Sequence, residues 1–291
     1  MMNTVTRFQS QLKQFQHKLR IQPQLKFFDV SMRDGLQSIK KNYSLSEKQG
    51  MLRDIIHRYN PDSMEIGSIV SSKVMPQMKD SIELYKYAQC VGGSKYYLLV
   101  PPVNSCMKKA KENRIRNISL ITSASNAFQL KNVKQDLDTT RENIERFLTD
   151  HHNFERVKLY MSCINKCPVE NKYVKNKDIV NEVLNYCKFS DIKEICLSDT
   201  CGTLNYYDFQ DIMDDLLDHM GPGRLSLHLH VSDARFDEVN RIILAAIYRG
   251  IYRFDVSSLH GVGGCTVTIK GETHGNLTYE QISNCVSTHW K

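Results

Sequence analysis

The sequence predicts an α/β fold, a single (β/α)8 barrel of the TIM-barrel type. Its length of 291 residues suits one such barrel. Eight short runs of β-branched and aromatic residues alternate with longer segments of helical period. Polar clusters follow the first, second, sixth, seventh and eighth runs. Barrels of this kind build their sites at the C-terminal ends of their strands.

The eight predicted strands all lie beyond Pro23. They are Leu25–Ser31, Ser63–Ile69, Lys95–Val100, Asn117–Thr122, Arg156–Met161, Lys193–Leu197, Arg224–His230 and Arg253–Ser257. Strands that alternate with helices indicate a parallel sheet covered by helices. An open, doubly wound sheet would alternate in the same way, but the count of eight and the placing of the polar clusters favour a closed barrel.

The helical segments carry start and stop signals. Ser46 and Gln49 predict a capping box at the start of the first helix. Gly221-Pro222-Gly223 ends the sixth helix. Its predicted apolar face consists of Phe209, Ile212, Met213, Leu216, Leu217 and Met220. Because no linker or low-complexity segment interrupts this pattern, residues 25–291 are predicted to form one domain.

Composition limits the class of protein. Apolar residues make up 41% and charged residues 24% of the chain. The chain has no apolar run long enough to predict a membrane span or a secretory signal. The net charge of +7 comes from scattered residues, which disfavours nucleic-acid binding but allows a basic rim around an anionic substrate. The nine cysteines contain no C-x-x-C pair, which argues against a disulfide framework and predicts a reducing, cytoplasmic location.

Residues 1–24 form a separate basic segment. Between Met1 and Phe28 the chain has no acidic residue. The apolar residues Val5, Phe8, Leu12, Phe15 and Leu19 recur at helical spacing. Two interpretations stay open: a helix that caps the barrel, and a transit segment that would direct the protein to the mitochondrial matrix.

The end of the first strand carries Arg33, Asp34 and Gly35. An arginine beside an aspartate would place a cation and a metal-binding oxygen at the barrel mouth, and a glycine permits the turn. A surface ion pair in a loop is the alternative.

His228 and His230 lie two residues apart in the seventh strand. Side chains at this spacing point to the same side of a strand, so both imidazoles are predicted to face the barrel interior. Two neutral imidazoles are difficult to satisfy side by side in a core, and histidine is a common metal ligand. A metal site is therefore favoured over two satisfied core histidines.

A glycine-rich loop follows the eighth strand and runs from Gly261 to Gly264, directly before Cys265. Such a loop could close over the site and carry a thiol, or it could be a turn with an incidental cysteine. Beyond it lies Asn276, whose amide oxygen would suit Mg²⁺ or Mn²⁺.

Four further residues are candidates on weaker grounds. Glu65 lies within an apolar strand, where an unpaired carboxylate is costly, so it is expected to orient Arg33 or another group of the site. Asp199 ends the sixth strand and is either a site residue or a turn residue. Cys163 and Cys167 are expected to be packed rather than catalytic.

Taken together, these motifs resemble those of the 3-hydroxy-3-methylglutaryl-CoA (HMG-CoA) lyase family of metal-dependent TIM-barrel lyases. The resemblance runs from about residue 26 to about residue 280. Arg33 to Gln37 looks like the family's R-D-G-L-Q, and Gly261 to Cys265 looks like its G-L-G-G-C. Glu65 to Met78 resembles its E-x-x-S-F-V-S-P-K-x-x-P-Q-M, and Asp199 to Gly202 resembles its D-T-x-G. Ser162 to Pro168 resembles its S-C-x-x-G-C-P, but the family glycine before Cys167 is lost. Relatives that form carbon–carbon bonds usually have E after R-D-G and lack that cysteine.

The resemblance implies cleavage of HMG-CoA to acetyl-CoA and acetoacetate, an acyl-CoA partner and Mg²⁺ or Mn²⁺ as cofactor. It also implies the role of each site residue. The metal ligands would be Asp34, His228, His230 and Asn276; the catalytic residues Arg33, Asp34, His228 and Cys265; and the substrate-binding residues Gln37, Glu65 and Asp199. A homodimer is compatible with this assignment, whereas membrane association is not expected.

The chemistry of a retro-Claisen cleavage agrees with these roles. A bound metal acidifies the substrate hydroxyl, and Asp34 or His228 accepts its proton. Arg33 supplies fixed positive charge where the enolate oxygen develops, an effect worth about 3 kcal/mol. Cys265 would protonate the carbanion or position the group that does so.

The chain departs from the family after His230, where Val231 to Arg235 replace the residues that follow the second histidine in H-D-T-x-G. Glu272, Thr273 and His274 also replace small residues before Asn276. These changes leave two alternatives open. One is a lyase, aldolase or acyl-transfer barrel for another 3-hydroxyacyl or 2-oxo acid substrate, and the other is a catalytically impaired barrel that acts as a binding protein.

Overall fold

The computed structural model describes residues 24–93, 95–150, 154–264 and 274–289. The predicted apolar stripe from Val5 to Leu19 and the predicted catalytic thiol of Cys265 lie outside these residues.

Eight parallel strands form the predicted barrel, and three short strands lie outside it. In chain order the strands are β1 (Lys26–Asp29), β2 (Ser63–Ser68), β3 (Tyr96–Leu99), β4 (Asn117–Ser123), β5 (Arg156–Ser162), β6 (Lys166–Cys167), β7 (Lys172–Tyr173), β8 (Ile192–Asp199), β9 (Leu225–Val231), β10 (Arg253–Val256) and β11 (Gly275–Asn276). β10 pairs with β1 on one side and with β9 on the other, which closes the ring. The closed barrel is thus confirmed, and all eight predicted strands coincide with its strands.

The helices of the described chain lie between the strands. They are α1 (Leu45–Tyr59), α2 (Ser81–Gly92), α3 (Asn104–Glu112), α4 (Asn126–Asn132), α5 (Leu137–Asp150), α6 (Asn176–Cys187), α7 (Tyr206–Leu217), α8 (Phe236–Tyr248) and α9 (Tyr279–His289). Their apolar faces and the outer faces of the strands form one large hydrophobic core. In this part of the chain no helix is long and apolar enough to cross a membrane.

The sixth predicted helix is α7, and its apolar face is buried as expected at Phe209, Ile212, Met213 and Leu216. The predicted capping box of the first helix was wrong by two residues. Ser44, not Ser46, is the N-cap. Its side chain accepts a hydrogen bond from the backbone N–H of Glu47, and the side chain of Glu47 accepts one from the backbone N–H of Ser44. Glu47 takes this place over Gln49 because a carboxylate is stabilised by the positive end of the helix dipole.

Two local features bring further residues to the barrel mouth. Directly after β1, residues Ser31–Gly35 form a buried π-helical turn. After β10 the chain returns as β11 and pairs antiparallel with β9, which places Asn276 opposite His230. Neither feature follows from the strand pattern of the sequence.

Candidate metal centre at the barrel mouth

The π-helical turn positions two of the predicted site residues, Arg33 and Asp34. The N–H of Gly35 donates to the carbonyl of Val30 at 3.1 Å, which closes the wide turn. A Cβ atom at Gly35 would lie 3.0 Å from the side chain of Leu259, so a glycine allows the turn to pack closely there. Single π-helical turns occur often at functional sites.

Asp34, His228 and His230 converge at the mouth, and all three are buried. Oδ2 of Asp34 lies 3.6 Å from Nε2 of His230 and 3.9 Å from Nε2 of His228. The two Nε2 atoms are 3.3 Å apart. One small group could therefore contact all three side chains.

The other ring nitrogen of each histidine has its own acceptor. Nδ1 of His230 lies 2.8 Å from the backbone carbonyl of Asp199, and Nδ1 of His228 lies 3.1 Å from Oδ2 of Asp255. Neither a carbonyl nor an ionised carboxylate can donate, so Nδ1 of each neutral ring carries the hydrogen. Both Nε2 atoms then present lone pairs toward Asp34. Three acceptor atoms this close together fit a divalent cation.

Asn276 adds an amide at the same place. It is buried and pairs with His230 across β11 and β9. Among the described residues, neither its Oδ1 nor its Nδ2 has a hydrogen-bond partner. A buried amide without partners is costly, and an oxygen ligand of a hard cation would satisfy it. These unpaired atoms are the second observation that fits a metal.

The described part of the glycine-rich loop lies over the candidate centre. The N–H of Gly264 donates to Oδ2 of Asp34 at 2.9 Å, and the carbonyl of Gly264 accepts from Gln37 at 3.0 Å. Gln37 also donates to Oδ1 of Asp34 at 2.7 Å. Gly263 has φ 134°, and a Cβ atom there would lie 2.4 Å from Nδ2 of Asn276. The loop can approach both side chains because it carries no side chains at these glycines.

Arg33 is held by two carboxylates. Its Nη1 donates to Oδ1 of Asp34 at 2.5 Å, and its Nε donates to Oε2 of Glu65. Its guanidinium also lies over the ring of Tyr160, 5.5 Å from the ring centre. Glu65 is fully buried and orients Arg33, as its place in an apolar strand predicted.

The charges of this group are mutually stabilised. Burial favours the neutral acid, yet the positive charge of Arg33 holds the pKa of Asp34 well below its usual range. Burial likewise opposes the charge of Arg33, but Glu65 and Asp34 raise the pKa of the guanidinium above its ordinary value. A buried ionised carboxylate is therefore available at the mouth.

Asp199 has a different environment from the other predicted residues. Its carboxylate accepts backbone hydrogen bonds from Thr203 and Leu204, so it stabilises the turn after β8. Its contact with the centre is through the backbone carbonyl that accepts from His230. Substrate binding by Asp199 stays a prediction.

Sequence reasoning missed three residues beneath the histidines. Asp255 contacts His228, the hydroxyl of Tyr160 donates to Oδ2 of Asp255 at 2.9 Å, and Nζ of Lys158 donates to Oδ1. Asp255 and Lys158 are charged residues inside apolar strands, the same signal that identified Glu65. That signal could have found both.

A cavity of about 150 Å³ opens beside the centre. Arg33, Asp34, His228 and His230 line its polar end. The cavity is also lined by apolar side chains, among them Val70, Val74, Met75, Ile121, Phe128 and Val133. Cys163 and Cys167 do not line it; they are buried and pack with Phe128, as expected of packed rather than catalytic cysteines.

Comparison with known proteins shows which family and which chains this protein resembles. The HMGL-like family model matches residues 24–289. The 3-hydroxy-3-isohexenylglutaryl-CoA/hydroxy-methylglutaryl-CoA lyase of Pseudomonas aeruginosa is 26% identical over 268 residues, which cover 91% of this chain and 85% of the relative. The mitochondrial hydroxymethylglutaryl-CoA lyase of Macaca fascicularis is 29% identical over 260 residues, or 89% of this chain and 77% of the relative.

A solved structure gives the same result. The HMG-CoA lyase of Acinetobacter baumannii, in complex with coenzyme A and 3-methylmalate, superposes with a TM-score of 0.81 at 25% identity. The match covers 91% of this chain and 83% of that one.

Proposed function

Because this chain belongs to the HMGL-like family, whose members are carbon–carbon lyases, we propose that it cleaves HMG-CoA to acetyl-CoA and acetoacetate with Mg²⁺ or Mn²⁺. The observation that carries the proposal is the convergence of Asp34 with the Nε2 atoms of His228 and His230.

Asp34, His228, His230 and Asn276 would hold the metal. When bound, the ion polarises the oxygen atoms of the substrate and makes its hydroxyl more acidic. The carboxylate and amide oxygens of this set suit Mg²⁺ and Mn²⁺. The unpaired amide of Asn276 supports its place in this set.

The proposed proton acceptors are Asp34 and His228. Each presents an unprotonated atom to the cavity, Oδ2 of Asp34 and Nε2 of His228. The carboxylate of Asp255 would stabilise the positive charge that a proton on His228 creates. The proton released from the substrate hydroxyl therefore has an acceptor within the same cluster.

Arg33 is proposed to stabilise the enolate. Glu65 and Asp34 occupy its Nε and Nη1, so the guanidinium is fixed before substrate arrives and its remaining N–H groups can face the cavity that it lines. A charge already in place costs no reorganisation as the enolate oxygen forms. Cys265, which directly follows the Gly264 amide that contacts Asp34, is proposed to return a proton to the carbanion.

A second candidate substrate carries a longer alkyl group at C3. The apolar residues that line the cavity favour it, because a methyl group alone needs few apolar contacts. The P. aeruginosa relative is named for both 3-hydroxy-3-isohexenylglutaryl-CoA and the methyl compound.

The experiment is a turnover assay with each thioester in the presence of Mg²⁺ or Mn²⁺. Equal amounts of acetyl-CoA and acetoacetate from HMG-CoA would support the first candidate. A higher kcat/KM for the isohexenyl substrate would favour the second. No cleavage of either, with tight binding of the thioester, would favour the impaired barrel that only binds.

A further inference from the structure

The two histidines of the candidate metal centre are anchored through the same ring atom but to chemically different partners. Nδ1 of His230 contacts a neutral backbone carbonyl, that of Asp199. Nδ1 of His228 contacts a carboxylate, Oδ2 of Asp255, at 3.1 Å. Hydrogen bonds to ionised acceptors are about twice as strong as those to neutral acceptors. The orientation of His228 therefore depends on a side chain that substitution can remove.

The carboxylate of Asp255 is itself fixed from two further directions. The hydroxyl of Tyr160 donates to Oδ2 at 2.9 Å, and Nζ of Lys158 donates to Oδ1. The side chains of Lys158 and Asp255 are each 1% exposed, so water does not compete for these bonds. The ammonium group of Lys158 pairs with this carboxylate and so favours its ionised form. The acceptor that faces His228 is thus an oriented, ionised carboxylate.

Lys158 has a second carboxylate partner on its far side. Its Nζ lies 3.0 Å from Oε1 of Glu194, which also accepts from the hydroxyl of Ser226 at 2.7 Å. Glu194 lines a cavity at the N-terminal end of the barrel, opposite the mouth. Asp255 and Glu194 are therefore both carboxylate partners of Lys158, and of the two Asp255 is the one that contacts His228.

We propose that Asp255 is a positioning residue that holds His228 in the tautomer protonated at Nδ1, so that the lone pair of Nε2 is directed toward Asp34 and a bound metal. The effect on ion binding rests on the proposed function. The effect on the tautomer does not require an ion and can be measured separately. Groups that orient metal-binding histidines in this way typically contribute about 10- to 100-fold to metal affinity.

The test compares Asp255→Asn with Glu194→Gln. Each substitution replaces a carboxylate partner of Lys158 by a neutral amide. Only Asp255→Asn also replaces the carboxylate that His228 contacts. The first readout is Mn²⁺ affinity, measured by paramagnetic resonance of the free ion. The second is the ¹⁵N spectrum of the His228 ring in the metal-free protein at about pH 8, above the usual histidine pKa. A His228→Gln spectrum assigns the signals.

Asp255→Asn should weaken Mn²⁺ binding by about 10- to 100-fold and populate both tautomers of His228. Glu194→Gln should leave the affinity and the Nδ1-protonated tautomer as they are in the wild type. An equal loss of Mn²⁺ affinity in the two variants would overturn the proposal, because the loss would then come from the missing charge partner of Lys158. A spectrum of Asp255→Asn with His228 still protonated at Nδ1 would also overturn it.

If Asp255→Asn fails to fold because Lys158 loses a buried partner, the double variant Lys158→Met/Asp255→Asn removes the cation as well. The same two outcomes apply to that variant. A wild-type protein that binds no Mn²⁺, but whose His228 tautomer is lost in Asp255→Asn, would support the positioning role. It would contradict the proposed metal-dependent function.

Discussion

Asn276 lies directly opposite His230 in the register of β11 and β9, and both polar atoms of its buried amide lack a hydrogen-bond partner within the described part of the chain. Asn276→Ala should therefore weaken Mn²⁺ binding strongly without loss of a hydrogen bond that supports the fold. Calorimetric titration with Mn²⁺ and thermal unfolding in chelator separate the two effects. Unchanged affinity with a large loss of stability would make Asn276 a structural residue.

Arg33→Lys should reduce kcat by about 100-fold or more, because a single ammonium group cannot replace a planar fork held by two carboxylates. The affinity for Mn²⁺ should change little. Arg141→Lys is the matched control, since Arg141 also bridges two carboxylates, those of Asp138 and Glu182, away from the mouth. Steady-state kinetics of the two variants check the prediction, and near-normal turnover in Arg33→Lys would remove Arg33 from the mechanism.

Gly263→Ala should abolish most of the activity, because the added Cβ would lie 2.4 Å from Nδ2 of Asn276. Gly261→Ala separates this contact from backbone strain. Gly261 has φ 67°, and a Cβ atom there would meet nothing within 4 Å. A positive φ destabilises a residue with a side chain by about 1–2 kcal/mol. Both variants should therefore lose folding stability, but only Gly263→Ala should lose Mn²⁺ affinity. Equal affinities would show that the loop does not position Asn276.

Cys265→Ser should suppress cleavage while metal binding and the fold are retained, because serine is similar in volume but a far weaker acid. In the wild type, alkylation of Cys265 should slow when an acyl-CoA is bound. The exposed Cys90 is the internal control, and its alkylation should not depend on ligand. Peptide mass spectrometry after timed alkylation measures both. Ligand-insensitive modification of Cys265 with unchanged turnover of the serine variant would leave it as a loop residue.

The sequence predicted the barrel and much of its mouth because these features depend on local periodicity. The i, i+2 spacing in β9 brings His228 and His230 to one side of the strand, where their Nε2 atoms meet. The charge inside an apolar strand placed Glu65 beside Arg33. Both inferences need only a strand and its two faces.

Features that depend on contacts between distant segments were not predictable in this way. The π-helical turn that carries Asp34 is stabilised by packing against Leu259, more than 200 residues away. The bond between Asp255 and His228 joins two neighbouring strands of the barrel, and the sequence of either strand alone does not indicate it. The carboxylate of Asp199 accepts a hydrogen bond from the backbone of Thr203 in the turn that follows its strand. A strand pattern cannot distinguish an aspartate with this role from one that binds substrate.

Metal-dependent release of acetoacetate from HMG-CoA tests the central claim most directly. The protein is stripped with chelator, the chelator is removed, and Mn²⁺ is added back in steps. We expect no release from the stripped protein and recovery that saturates at one ion per chain, in keeping with the single cluster of Asp34, His228 and His230 in the described residues. Undiminished release in excess chelator, or no release at any concentration of Mn²⁺ or Mg²⁺, would contradict it.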